Sequence, residues 1–211
     1  MTYHYYDPPQ FSAEEQIKSH AEEARRLGTG AMMTETEAIW APEKFPNMKA
    51  NLTDACDSFL TGWADWGWKS FVRQGPHDDD SSPSQYYEWG APKTGHGVDW
   101  NGKDDPPAYY FKYLARTYAQ RVFGILKSMS FSTITSEFKL QYTISNLEND
   151  IPTEIFVFPE RYGKNGPNIT ASASIGAVDV VYDGNSLVKI VLGDGIKVGS
   201  EVSVRISKTQ K

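Results

Sequence analysis

The spacing of apolar residues changes along the chain and divides it into two parts. Before about residue 130, apolar positions recur at helical spacing or form short unbroken runs. After Phe131 they alternate with polar residues. The first pattern predicts helices between buried strands, and the second predicts antiparallel strands. We therefore predict a first domain over 1–130 and a second domain over 131–211.

The first part combines short strands with helices. The clearest helix begins with a capping box, in which Ser12 is the N-cap and Glu15 is the third helical residue. The predicted helices are 12–27, 46–58 and about 107–128, and the predicted strands are 2–6, 30–34 and 59–66. This alternation is typical of a parallel α/β barrel or a doubly wound sheet. A complete (β/α)₈ barrel needs roughly 250 residues, so this part has room only for its last units.

The second part is predicted to be all-β. The clearest alternating segments are 138–142, 155–157, 178–182, 188–192 and 202–206. Glycine-containing turns separate several of them. Short strands at this spacing predict an antiparallel β-sandwich. The predicted fold class is therefore α/β plus all-β, with the C-terminal portion of a barrel followed by a sandwich.

Composition narrows the function classes. The chain has 211 residues, a formal net charge of -6 and one cysteine, Cys56. No apolar run is long enough to span a membrane, and no basic face predicts binding to nucleic acid. A single cysteine cannot form an intrachain disulfide. Aromatic residues make up 13% of the chain, which fits either an aromatic core or surfaces that stack on sugar rings.

Glu35 is the first candidate for chemistry. It follows the predicted strand 30–34 directly, and functional residues of α/β barrels lie at the carboxyl ends of strands. The alternative is a solvated loop carboxylate, and the residue pattern alone weighs the two about equally. Glu37 competes with Glu35, because it points to the same side of an extended strand but lies further out.

The neighbouring predicted strand ends carry further candidates. His4 and Tyr6 form a His-x-Tyr pair whose side chains share one side of an extended chain and could orient a carboxylate. Packing at a barrel rim is the simpler interpretation of this pair. Trp66 could floor a sugar pocket, whereas Trp63 suits barrel packing better. Lys69 begins a long polar segment over about 70–105 and completes the predicted substrate-binding set.

The acidic run 77–80 does not predict a metal site. Consecutive side chains in a loop rich in Ser and Pro cannot all face one ion, and the run does not fit an EF-hand. We interpret it as a solvated charge run. The sequence therefore predicts no metal and no cofactor.

The order of these motifs resembles glycoside hydrolase family 5 of clan A, in particular its endoglycoceramidase and glucosylceramidase-like branch. The similarity covers nearly the whole chain. The segments that carry it are His4-Tyr5-Tyr6-Asp7-Pro8-Pro9, Arg26 through Glu35, Gly62 through Lys69, Leu114 through Gln120, Phe138 through Tyr142 and Pro152 through Pro159.

The resemblance implies roles for the candidate residues. Glu35 matches the family's nucleophile, His4 and Tyr6 match a His-x-Tyr that contacts sugar and nucleophile, and Trp66 matches the tryptophan under the sugar ring. The family's usual Thr-Glu-Phe-Gly reads Thr34-Glu35-Thr36-Glu37 here, which leaves Glu37 as an alternative. The Asn-Glu-Pro motif that carries the family's acid/base does not occur. We therefore expect a C-terminal fragment, the product of a truncated gene or a degenerate copy, and in each case a chain that is inactive alone.

The predicted function is retaining hydrolysis of a β-glycosidic bond in a glycolipid or related glycoside. The alternatives are a carbohydrate- or lipid-binding β-sandwich module without catalysis, and a purely structural sandwich. The expected partner is a glycolipid or an oligosaccharide, and a lipid substrate would bring peripheral contact with a membrane. The resemblance implies a secreted or lysosomal parent protein, in which the sequons at Asn51 and Asn168 permit N-glycosylation.

Overall fold

The computed structural model describes residues 1–5, 12–36, 48–64, 71–74, 85–88, 115–148 and 151–209. The chain divides into two compact units, residues 1–114 and 115–211. Among the described residues, no helix is both long and apolar enough to cross a lipid bilayer.

The first unit alternates strands and helices. Its elements are β1 (Thr2–Tyr5), α1 (Ala13–Arg26), β2 (Met32–Thr36), α2 (Met48–Ser58), β3 (Gly62–Trp63), β4 (Phe71–Gln74) and β5 (Gln85–Glu88). The first three strands form a parallel sheet in the order β1-β2-β3. β4 and β5 pair antiparallel within the segment predicted as a polar loop. Both helices predicted in the described part of this unit are confirmed.

α1 begins as its sequence predicts. The Ser12 hydroxyl accepts a hydrogen bond from the Glu15 amide at 3.3 Å, and the Ser12 amide donates to the Glu15 carboxylate at 3.0 Å. This capping box satisfies two amides that the first turn would otherwise leave unpaired. The helix ends before Gly28, whose φ of +66° suits a residue without a Cβ.

The third strand of this sheet begins later than predicted. Residues 59–61 form the turn that ends α2, since the Thr61 amide donates to the Cys56 carbonyl at 2.8 Å. Leu60 occupies the left-handed region with a φ of +56°. Aromatic and apolar residues just after a helix therefore looked like the start of a strand, although they belong to the helix end.

The second unit contains two antiparallel sheets around one core. Its strands are β6 (Tyr118–Arg121), β7 (Ile125–Phe131), β8 (Phe138–Thr143), β9 (Thr153–Phe156), β10 (Pro167–Ala173), β11 (Val178–Tyr182), β12 (Leu187–Leu192) and β13 (Glu201–Lys208), with a 3₁₀ turn at Pro159–Arg161. The sheet orders are β10-β13-β8-β7 and β11-β12-β9-β6. Side chains from both sheets form a single buried cluster, which includes Phe138, Leu140, Ile155, Ile190 and Val204. All five alternating segments named from the sequence lie in or overlap these strands.

The helix predicted over about 107–128 is wrong where the structure describes it. Residues 118–121 and 125–131 are β6 and β7, and they pair with strands of the second unit. The prediction relied on the helical spacing of Tyr118, Val122 and Ile125. The structure places Tyr118 in β6, Ile125 in β7 and Val122 between these strands, and Tyr118 and Ile125 are exposed, so the three do not form one buried helical face. The second unit accordingly starts at residue 115, upstream of the boundary predicted near 130.

β10 is a strand that the hydrophobic pattern did not reveal. Its inward positions are Ile169, Ala171 and Ala173, which are only partly buried beside the core. Two of the three are alanines, so the contrast between inward and outward positions is weak.

Candidate active site

Glu35 and His4 face each other near the carboxyl ends of two neighbouring parallel strands. Their Cα positions are partners in the pairing of β1 with β2. The distance from His4 Nε2 to Glu35 Oε2 is 3.8 Å, and the two side chains are 51% and 21% exposed. An imidazole at this distance forms an ion pair with the carboxylate when it is protonated. The carboxylate is therefore partly shielded from water and still reachable.

A β-bulge aims Glu35 at His4. Tyr3 lies opposite Met33, but the next residue of β1, His4, lies opposite Glu35, so Thr34 is an extra residue on β2. The hydroxyl of Thr34 donates to the Tyr3 carbonyl at 3.4 Å, at the position where the register shifts. Bulges change the direction of the side chains that follow and are frequent next to active sites.

The bulge places Glu35 on the face of the sheet that the helices do not cover. Met33 and Thr36 are both buried although they are three residues apart, which regular alternation would not allow. Met33 packs with residues of both helices, and Thr36 lies opposite Tyr5, which belongs to the same cluster. If Thr34 were paired as in a regular strand, Glu35 would share the helix-covered face with Met33 instead of facing His4.

The helix-covered face holds the strands firmly in place. Tyr3 stacks on His20 of α1 with ring centroids 4.1 Å apart. Burial raises the pKa of the Tyr3 hydroxyl well above its ordinary value. Ile17, Met33 and Cys56 are fully buried in the same cluster. The strand ends that carry His4 and Glu35 therefore rest on a packed layer, which limits their freedom to move.

The structure describes only some of the other residues that the sequence analysis considered for the site. Tyr6, Trp66, Lys69 and the competing Glu37 all lie outside the described residues, as does the acidic run 77–80. Trp63 is described, and it packs against the helix-side cluster. Its position agrees with the packing role considered for it in the sequence.

Sequence reasoning missed the residue that sets the direction of Glu35. Thr34 looks like an ordinary strand position, and a bulge in a parallel pair has no short sequence signature. The available signal was indirect. In a regular strand Glu35 would point to the same face as Met33. A Glu35 that points away from the buried face therefore requires an irregularity between the two residues.

Comparison with known proteins relates this chain to a described protein family. Residues 116–206 match the model described as the glycoside hydrolase family 5 C-terminal domain. An endoglycoceramidase of Cyanea nozakii is 26% identical over 170 residues, which are 81% of this chain and 31% of that protein. An endoglycoceramidase of Hydra vulgaris is 25% identical over 142 residues, which are 67% of this chain and 23% of that protein.

Solved structures show the same fold. Sterylglucosidase 1 of Cryptococcus neoformans superimposes with a TM-score of 0.60 at 12% identity, over 93% of this chain and 31% of that one. Endo-glycoceramidase II of Rhodococcus sp. gives a TM-score of 0.58 at 14% identity, over 99% of this chain and 42% of that one. At such low identities the likeness concerns the fold alone.

These findings confirm the resemblance to glycoside hydrolase family 5. The curated relatives are endoglycoceramidases, so the resemblance to the endoglycoceramidase-like branch is confirmed as well. The chain spans about 31% of the length of the first curated relative and about 23% of the second.

Proposed function

We propose that this chain contributes the nucleophile of a retaining glycoside hydrolase that cleaves a β-glycosidic bond of a glycolipid or a related glycoside. Glu35 is the nucleophile in this proposal. The observation that carries it is the placement of this carboxylate, which faces His4 on the sheet face away from the helices. A solvated loop acid would need neither a strand-end position nor a bulge that turns it there.

The proposed architecture is a segment of a barrel wall followed by a β-sandwich. Three adjacent parallel strands with both helices on one face fit part of a (β/α)₈ barrel, in which the other face lines the interior. The carboxyl ends of such strands form the catalytic rim. Two antiparallel sheets around one core fit the sandwich.

The proposed reaction begins with attack by a Glu35 carboxylate oxygen on the anomeric carbon. The bond from that carbon to the leaving oxygen breaks, and a covalent glycosyl ester forms. Water then attacks the same carbon, which releases the sugar and restores the carboxylate. A second carboxyl group, roughly 5–5.5 Å away in retaining enzymes, protonates the leaving oxygen and then deprotonates the water. We assign no residue of this chain to that second role.

The remaining site residues have supporting roles in the proposal. His4 lies beside the carboxylate of Glu35 and fixes the direction of its attacking oxygen. Tyr6 adds a hydroxyl donor beside the carboxylate. Trp66 stacks under the sugar ring, and Lys69 binds substrate at the start of the following segment.

The substrate class rests on the names of the relatives. The curated relatives are endoglycoceramidases, and one structural relative is a sterylglucosidase. Each of these enzymes is named for a compound in which a sugar is attached to a lipid. We therefore propose a β-glycoside with a lipid aglycone, reached by peripheral contact with a membrane in a secreted or lysosomal compartment.

Two matched variants test the assignment of the nucleophile. In the protein at its full natural length, Glu35→Gln should abolish hydrolysis of an aryl β-glucoside and of a glycosylceramide, and thermal unfolding should show that the fold is kept. Glu37→Gln should retain most of the activity. Equal activity of Glu35→Gln and wild type, or a larger loss in Glu37→Gln, would contradict the proposal. Activity on the aryl glucoside alone would reject only the lipid aglycone.

A further inference from the structure

The outer surface of one sheet of the second unit carries mostly short, polar side chains. We call it the polar face, and its residues come from β7, β8, β13 and β10. The side chains that define it are Ser128, Ser130, Gln141, Thr170, Ser172 and Ser203. Strand pairing places them in adjacent rows, because Gln141 lies opposite both Ser128 and Ser203, and Ser203 lies opposite Ser172.

The polar face forms a groove that suits a neutral ligand with many hydroxyl groups. Its volume is about 410 Å³, within the roughly 300–1,000 Å³ that is usual for small-ligand sites. Hydroxyl and amide side chains can both donate and accept hydrogen bonds, as the hydroxyls of a sugar also do. Because most of these side chains are short, a ligand can approach the sheet closely.

The two cations of the groove share one carboxylate as their partner. Lys139 lies 3.1 Å from the Glu137 carboxylate, and Arg205 donates to the same carboxylate. The pairing Arg205–Lys139 places both cations in one row of the sheet. An anionic ligand would have to compete with Glu137, whereas an uncharged sugar would not.

A covalent attachment point for a sugar lies at the edge of this surface. Asn168, Ile169 and Thr170 form an N-x-Thr sequon in β10, the edge strand of the sheet. Asn168 and Thr170 are exposed, and the residue between them is turned toward the core. Asn168 is therefore on the same side of the strand as Thr170, about 6.6 Å before it along β10.

We propose that Asn168 carries an N-linked glycan whose first sugars lie in the groove of the polar face. In the attachment step, Nδ2 of Asn168 bonds to C1 of an oligosaccharide carried on a polyprenyl diphosphate. The bond from C1 to the diphosphate oxygen breaks, the lipid diphosphate leaves, and Nδ2 loses one proton. The glycan then covers exposed backbone and hydroxyl groups along the outer surface of this sheet.

The second sequon provides a matched control. Asn51 is exposed on α2, and its sequon threonine, Thr53, is buried with its hydroxyl donating to the Ala50 carbonyl at 3.3 Å. The proposal assigns the groove to the glycan of Asn168 alone. Removing Asn51 should therefore leave the polar face unchanged.

Site occupancy is tested first, on protein purified from the cells that make it. N-glycosidase digestion in heavy-oxygen water should leave an aspartate that contains the heavy oxygen at position 168, detected by peptide mass spectrometry. In a secretory eukaryotic host, Asn168→Gln should remove this glycan, and Thr170→Ser, which keeps the sequon, should retain it. An unmodified asparagine at position 168 in the purified protein would overturn the proposal.

Contact with the groove is tested by the acylation of lysines with N-hydroxysuccinimide acetate. The Lys139 side chain is 59% exposed on the polar face, and the Lys189 side chain is 43% exposed on the other sheet. In the glycosylated protein, Lys139 should react at least about threefold more slowly than after enzymatic deglycosylation of the folded protein, while Lys189 reacts equally in both. Asn51→Gln should not change either rate. Equal Lys139 rates with and without the glycan would show that it does not lie in the groove.

Discussion

Nε2 of His4 and Oε2 of Glu35 lie 3.8 Å apart across two parallel strands, on the sheet face opposite the helices. β1 also carries the buried Tyr3 and Tyr5, and β2 carries the buried Met33 and Thr36. The pair is therefore held from one side and open on the other. This arrangement gives the proposed nucleophile a polar neighbour without closing access to it.

Removing the imidazole should slow the reaction without breaking the fold. His4→Phe keeps an aromatic ring but loses the group that fixes the carboxylate, so we expect kcat on an aryl β-glucoside to fall roughly tenfold, which corresponds to about 1.4 kcal/mol. His20→Phe is the control, because His20 stacks on Tyr3 from the helix side. A similar fall in kcat in both variants would mean that His4 has only a packing role.

The bulge at Thr34 should be necessary for both stability and activity. Inserting one alanine between Tyr3 and His4 gives Thr34 a partner on β1 and restores regular pairing, so that Glu35 turns toward the helix-covered face and its carboxylate is buried. We expect activity to be lost and the free energy of unfolding to fall by more than about 3 kcal/mol, measured by urea denaturation.

Thr34→Val separates the effect of the extra residue from the effect of its side-chain hydroxyl. This variant keeps the residue count and loses one hydrogen bond to the Tyr3 carbonyl. It should cost about 1 kcal/mol of stability and keep most of the activity. An insertion variant that unfolds and reacts like Thr34→Val would show that the bulge does not direct Glu35.

Phe131 should stabilise the second unit beyond its hydrophobic burial. Its ring is buried, and the guanidinium carbons of Arg116 and Arg161 lie 4.9 Å and 5.5 Å from its centroid. Phe131→Leu should therefore reduce the free energy of unfolding by about 1–2 kcal/mol more than Phe138→Leu, which changes its buried partner on β8. Equal losses in a denaturant titration would contradict a stabilising contribution from the two cations.

Glu137 should give the second unit a component of stability that depends on pH. Hydrogen bonds from Arg205 and then Lys139 lower the pKa of this carboxyl below its ordinary value of 4.5. Because the pKa is lower in the folded state, the stabilisation is present above pH 4.5 and disappears as the pH falls through the lowered value.

Glu137→Gln should consequently be less stable than wild type at neutral pH, by no more than about 1 kcal/mol. The two proteins should converge in acid, as thermal unfolding at a series of pH values would show. Glu148→Gln, on an exposed loop, is the control. A difference between wild type and Glu137→Gln that stays constant down to strongly acidic pH would contradict this account.

The sequence predicted the elements whose local signals are strong. The capping box of Ser12 and Glu15 located α1, and the clean alternation around Val202 and Val204 located β13. These signals depend only on neighbours in the chain. The same is true of Glu35, whose place after an apolar run suggested its role before any pairing was known.

The errors arose where pairing with another strand decides the structure. Tyr118, Val122 and Ile125 have the spacing of a helix face, but β6 and β7 are strands because they pair with β9 and β8. Thr34 is an extra residue only relative to β1, so the direction of Glu35 could not be read from its own strand. Register between strands is a tertiary property, which single-sequence periodicity does not contain.

The most direct test of the central claim is to trap the covalent intermediate and locate it. A glucoside with fluorine next to its anomeric carbon and dinitrophenolate as leaving group needs no proton from an acid, and its glycosyl ester breaks down slowly. After reaction with the protein at its full natural length, mass spectrometry should place one fluoroglucosyl group on Glu35, and Glu35→Gln should remain unlabelled. A label on Glu37 or on any other residue, or no label in a preparation that hydrolyses glucosides, would contradict the assignment of Glu35 as the nucleophile.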